Sequence, residues 1–166
     1  MSYTRVNRKV HKWGSILVLI PLILVLITGI LLLLRKEIPA IQPPTQAGIS
    51  QSPSLAFNKV LAISKTVSEA QINDWQDVDR LDVRPAKGVI KVRSKNSWEI
   101  QLDAQTGNIM QVAYRRSDWL ESLHDGTYFH KSANLWLILP CAIVLLILWV
   151  TGLYLFIYPY FRKWRN

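Results

Sequence analysis

The sequence predicts an α+β membrane protein: two transmembrane helices flanking a small extracytoplasmic domain built from one helix and a four-stranded antiparallel meander. Three observations carry that expectation. The apolar runs from Ile16 to Leu34 and from Leu135 to Phe161 can each cross a hydrocarbon core of ~30 Å, which takes about 20 helical residues. Between them the apolar period shortens from helical to two. Seven of the nine net positive charges come from the two short tails.

In chain order, residues 1–15 form a basic cytoplasmic tail and 16–36 the first membrane helix. In lipid every backbone polar group must be satisfied within the segment, so each span must be helical. The first run is too long for a signal-peptide core, and Arg35-Lys36-Glu37 follows it with no small-residue cleavage site, so it is expected to be a permanent anchor. Residues 37–53 contain Pro43-Pro44 and read as a Pro-rich linker, an extended spacer. Ser54 is placed to cap a helix over Leu55 to Val67, whose Leu55, Val60, Leu61 and Ile63 form an apolar stripe. This opens a domain over 54–116.

From Val78 the alternation is that of strands. Leu81 and Val83, then Ile90 and Val92, then Trp98, Ile100 and Leu102, then Met110, Val112 and Tyr114 each lie on one face of a short strand. Turns fall at Pro85 to Gly88, Lys95 to Ser97 and Ala104 to Gly107. The apolar face should receive the helix. The outer face carries Lys91 and Arg93 near Glu99 and Asp103, close enough for cross-strand pairing. A return segment, 117–133, leads into the second membrane helix, 134–161, and a basic tail, 162–166.

Orientation follows from charge. Arg5, Arg8, Lys9 and Lys12 precede the first span and Arg162, Lys163 and Arg165 follow the second, while all 11 acids lie between the spans. Both termini are therefore expected in the cytoplasm, with the domain outside the inner membrane. The net charge of +9 would otherwise point to nucleic acid; tails lying against anionic lipid account for it, so the expected partner is the bilayer and not nucleic acid. The single cysteine, Cys141, sits within the second span and reads as a packing residue.

Catalytic signatures are missing: there is no Gly-x-Ser-x-Gly, no His-Glu-x-x-His, no phosphate loop and no paired-cysteine metal site. Asp74, Asp77, Asp79 and Asp82 lack the spacing of a calcium loop and read as a solvated entry to the first strand. The sequence leans away from an enzyme.

Several pieces resemble a known family. The phrase Trp98 to Met110, with its Asp103-Ala-Gln-Thr-Gly107 turn, resembles a PepSY domain. Arg8 to Gly14, Thr28-Gly29, Leu123-His124-Asp125-Gly126 and Thr151-Gly152-Leu-Tyr resemble the helices associated with such domains. The resemblance implies an extracytoplasmic module that regulates a peptidase, or an accessory to iron or siderophore uptake. Its larger members resemble ferric-siderophore reductases, with haem b held by histidines at the ends of their spans. That implies His11, on the inside, and His124 or His130, on the outside, as candidate haem ligands, completed by a homodimer or another protein. The alternative for these histidines is interfacial contact with headgroups, beside Trp13, Trp136, Tyr158 and Tyr160.

Two further sets of residues stand out. Counted from the ends of their apolar runs, Thr28-Gly29 and Thr151-Gly152 fall at similar depth and are expected to meet and seat the helix pair. Arg80, Arg84, Arg115, Arg116 and Trp119 are expected to be exposed anchors for an unknown membrane or periplasmic protein partner. Covering of the sheet edge by the return helix is the competing use of that segment.

Overall fold

The computed structural model describes residues 3–164, with side chains as far as Tyr160. Of the expected C-terminal tail, Arg165 and Asn166 lie outside the described residues. In chain order the elements are α1 (Tyr3–Leu33), α2 (Phe57–Ser64), β1 (Val78–Arg84), β2 (Val89–Ser94), β3 (Trp98–Asp103), β4 (Ile109–Tyr114), α3 (Arg116–Asp125) and α4 (Leu139–Trp164). They fall into two compact units, residues 1–32 with 120–166 and residues 33–119.

The first unit is an antiparallel pair of long helices. Both α1 and the segment Asn134–Tyr160 are long and apolar enough to cross a membrane. The basic stretch from Arg5 to Lys12 is part of α1, so the helix begins well before the apolar run. Val18, Thr28, Leu148 and Thr151 are buried, while Leu17, Ile20, Leu146 and Trp149 face outward as a lipid-facing surface would. Gly14 makes the close approach: a Cβ there would lie 3.0 Å from Leu148 Cδ2. One element had no signal in the sequence, a π-helical turn at Asn134–Ile138 just before α4.

The second unit is the expected meander, in the order β1-β2-β3-β4 with all neighbours antiparallel. On one face Ile90, Val92, Ile100 and Leu102 pack with Val60, Val67, Ala70 and Ile72 as the core. Asp103 closes the β3–β4 turn, its Oδ1 accepting from Gln105 N, Thr106 N and Thr106 Oγ1 at 2.9, 2.7 and 3.0 Å. Gly107 takes the left-handed φ of 81° that this turn requires.

Three expectations are corrected here. The helix starts at Phe57, and Ser54 does not cap it, because the N–H groups of Ser54 and Leu55 both donate to Ala104 O at 3.0 Å and keep the chain extended. The Pro-rich segment is no spacer. Gln46 N donates to Gln101 Oε1 at 2.8 Å, Ile49 N to Asp103 Oδ2 at 2.7 Å, and Gln101 Nε2 to Pro44 O at 2.9 Å, so residues 41–50 form a strap across the sheet. In consequence the centre of the outer face is not solvated, and Lys91, Glu99, Gln101 and Asp103 are all buried.

The strap is seated by two glycines. Gly48 N donates to Lys87 O at 2.8 Å, and a Cβ on Gly48 would stand 1.9 Å from Gly88 O. Only a residue without a side chain lets the two backbones cross so closely.

Candidate functional site

Two constellations carry chemistry, one in each unit. In the helix pair, the motif residues singled out from the sequence come together as two similar histidine seats. His124 Nδ1 lies 3.1 Å from Thr28 Oγ1 and 3.1 Å from Val25 O. His11 Nδ1 lies 3.0 Å from Thr151 Oγ1. Glycine clears the space beside each ring: a Cβ on Gly29 would be 3.1 Å from His124 Cε1, and one on Gly152 would be 3.2 Å from His11 Cε1.

The hydrogen bonds assign the tautomer of His124. A carbonyl can only accept, so its Nδ1–H donates to Val25 O, and in the neutral imidazole Nε2 keeps its lone pair. At His11 the single partner is the Thr151 hydroxyl, which also bonds Leu148 O at 3.1 Å. A second hydrogen bond that fixes ring and tautomer in this way is the usual support of a metal-ligating histidine. His130 is built differently. It is exposed, and its Nδ1 accepts from Ser132 N at 3.2 Å, which leaves the proton on Nε2.

The expected meeting of Thr28-Gly29 with Thr151-Gly152 does not occur; each pair receives a histidine instead. The register is set by His11 beside Thr151 and by Gly14 against Leu148. Thr28 lies 17 residues beyond His11 on α1, about 25 Å at ~1.5 Å per residue. Depth counted from Ile16 was misleading because α1 is helical from Tyr3. The two seats thus occupy opposite ends of the helix pair.

The residues fit a haem in one respect: each seat offers one imidazole, and that of His124 carries its proton on Nδ1. No group of three or more His, Cys, Asp or Glu able to hold a metal ion occurs among the described residues, and each seat would supply one histidine nitrogen. His11 and His124 would be those donors, and haem would bring one-electron redox chemistry.

The second constellation is the buried face beneath the strap. Glu99 accepts from Lys91 Nζ at 3.0 Å, from Gln101 Nε2 at 2.8 Å and from Arg115 NH1 at 2.7 Å. Arg115 also reaches Asp118 at 3.1 Å. Burial pushes the Lys91 ammonium below its ordinary pKa, partly offset by its bond to Glu99. Both ends of the domain's chain arrive here, since Ser117 N donates to Ile41 O at 2.9 Å and Arg116 NH1 to Ala40 O at 2.9 Å.

This changes the list of partner anchors. Arg115 is only 2% exposed and ion-paired, so it is a structural residue and not a surface one. Arg84 pairs with Asp82 at 2.7 Å, and that contact holds the Asp82 carboxyl below its usual pKa. Arg80, Arg116 and Trp119 are exposed. Nothing in the sequence period marked the buried face, because alternating charge on a strand reads as a solvated side. The available clue was Gly48 in a Pro-rich segment with no charge of its own.

A geometry of this kind, two membrane-length helices with a helix-and-meander domain between them, defines a class of membrane-anchored modules. The family model of the PepSY-associated TM region matches residues 8–166, and the chain belongs to that family. No match was found among curated proteins or among solved structures.

Proposed function

We infer that this chain is a recognition or regulatory module of the bacterial inner membrane. Its two helices anchor it with both termini in the cytoplasm, and residues 33–119 are presented to the periplasm as an accessory to a larger process such as iron or siderophore uptake. The observation that supports recognition most is the mainly polar sheet face, with four buried polar side chains under a strap of the same chain. Such a face costs more to bury than an apolar one of equal size, which favours a surface that works by exchange of partners. Uptake of a radiolabelled ferric siderophore by cells lacking the chain tests the iron setting. Impaired uptake restored by the wild-type chain is expected, and unchanged uptake contradicts it.

The histidine seats favour a second reading, in which the helix pair carries haem b for electron transfer to ferric siderophores. His11 and His124 hold it, with further ligands from a second copy. Protein purified in detergent from haem-replete cells would then show a Soret band that falls on His11→Ala and on His124→Ala and is unaffected by His130→Ala. Colourless protein excludes this reading and leaves the first intact.

A further inference from the structure

The strap is an incomplete occupant of the face it covers. Gln101 treats it as a strand partner would: its side-chain amide accepts from Gln46 N and donates to Pro44 O, so it reads the backbone of an extended segment with both of its groups. Asp103 takes a third backbone group, Ile49 N. None of these three bonds depends on the strap's side chains, and any extended chain without a bulky residue at the Gly48 position can make them.

The strap brings hydrogen bonds to Asp103 and Arg84 but no opposite charge to the cations of the face. Residues 38–53 contain no ionisable side chain. On the sheet beneath, Arg93 lies opposite Glu99 in β3 and opposite Arg80 in β1. Glu99 is already shared by Lys91 and Arg115. What remains for Arg93 is an approach of 3.6 Å to Glu99 Oε2, too long for a hydrogen bond. Among the described residues, Arg93 Nε is the buried side-chain polar atom without a hydrogen-bond partner. Lys91, Arg93 and Arg115 thus crowd Glu99, with Asp118 beside Arg115 and with Asp82, opposite Lys91 in β1, already bonded to Arg84.

We propose that this polar sheet face is a binding site for an extended peptide segment bearing a carboxylate, held shut by residues 41–50 of the same chain. The incoming segment takes over the backbone bonds to Gln101 and Asp103 and adds an acceptor for Arg93 that the strap lacks. Being tethered, the strap acts at an effective concentration of about millimolar and excludes weak ligands from the resting protein. This deepens the recognition reading and names its site. It rests on that reading, yet peptide binding in detergent is independent of which side of the membrane the domain faces or whether iron is involved.

The test uses the full chain in detergent and a fluorescent peptide with the sequence of residues 41–51, together with its analogue carrying Glu in place of the residue corresponding to Gln42. Gly48→Ala unseats the strap by collision with Gly88 O, and Gln46→Pro removes one of its anchoring N–H groups, so the result does not depend on one variant folding. Amide exchange at Gly48 and Ile49 verifies release. Both variants should bind the acidic peptide at least about tenfold more tightly than the wild-type chain does, and about tenfold more tightly than they bind the neutral peptide. Adding Arg93→Gln should erase the preference for acid, and adding Gln101→Leu should weaken both peptides. A released strap with no peptide binding would overturn the proposal. Equal binding of the two peptides would overturn it as well, and would point to exchange of straps between two copies.

Discussion

Glu99→Gln is the most informative single change in the domain. Glu99 is fully buried, with Lys91 at 1% and Arg115 at 2% exposure around it. Its Oε1 accepts from Lys91 Nζ and Gln101 Nε2, and its Oε2 accepts from Arg115 NH1. Glutamine keeps the shape but has one acceptor oxygen and one NH2 group. Whichever way its amide is turned, a donor faces a cationic donor, and buried positive charge is left without its counter-ion.

Removing one partner from a buried ion pair costs about 3–5 kcal/mol, and a small domain holds only about 5–15 kcal/mol in all. The variant should therefore lose about a fifth or more of the domain's stability. Near-ultraviolet circular dichroism of the full chain during urea unfolding reports it, since Trp98 packs edge-on to Tyr114 at 5.9 Å. The sign of the pH response is also fixed. Burial already lowers the Lys91 pKa, and loss of Glu99 lowers it further. Between that folded value and the ordinary 10.5 the unfolded chain binds more protons, so the variant should regain stability as pH rises through that range. A loss within about 1 kcal/mol, or a loss that grows with pH, would refute the reasoning.

Other outcomes follow from the same geometry. His11 Nδ1 has Thr151 as its partner, whereas His124 Nδ1 has both Thr28 and Val25 O. A double-mutant cycle of Thr151→Val with His11→Ala in detergent unfolding should thus show about 1 kcal/mol of coupling, and the Thr28–His124 cycle less; equal couplings would contradict the part given to Val25 O. Backbone N–H groups of Thr106 and Ile49 hold the Asp103 carboxyl at about 2, against its ordinary 3.8. Its contribution is fully present above that ordinary value and is lost as pH falls toward 2, so the strap amides of Gly48 and Ile49 should lose exchange protection across this range in wild type. In Asp103→Asn that pH dependence should disappear.

Much of this fold was legible in the sequence. The four strands were visible because Ile90, Val92, Ile100 and Leu102 alternate with polar residues, and the two spans because lipid tolerates so few side chains. What escaped notice lay where a local pattern has two physical meanings. Lys91, Arg93 and Glu99 alternate as a solvated face would, and only the course of residues 41–50 shows that they are covered. The strap itself has no apolar period, since its shortest bonds to the sheet run through backbone groups that any residue supplies. Ser54 has the chemistry of a helix cap, but its N–H is claimed by Ala104 O. In the helix pair, the seat residues were all singled out, yet their pairing depended on register. Apolar run ends do not set that register, because the basic turn from Arg5 to Lys12 extends α1 and places His11 beside Thr151.

The proposed function requires a hairpin with its tails in the cytoplasm and its domain in the periplasm. Cys141 is the lone cysteine and lies within α4, so single cysteines introduced at exposed Lys95 and at Arg5 can be read in a Cys141→Ala background. A membrane-impermeant maleimide added to cells with a permeabilised outer membrane should label Lys95→Cys at once and Arg5→Cys only after lysis. Labelling of Arg5→Cys with Lys95→Cys protected would invert the topology and contradict the account.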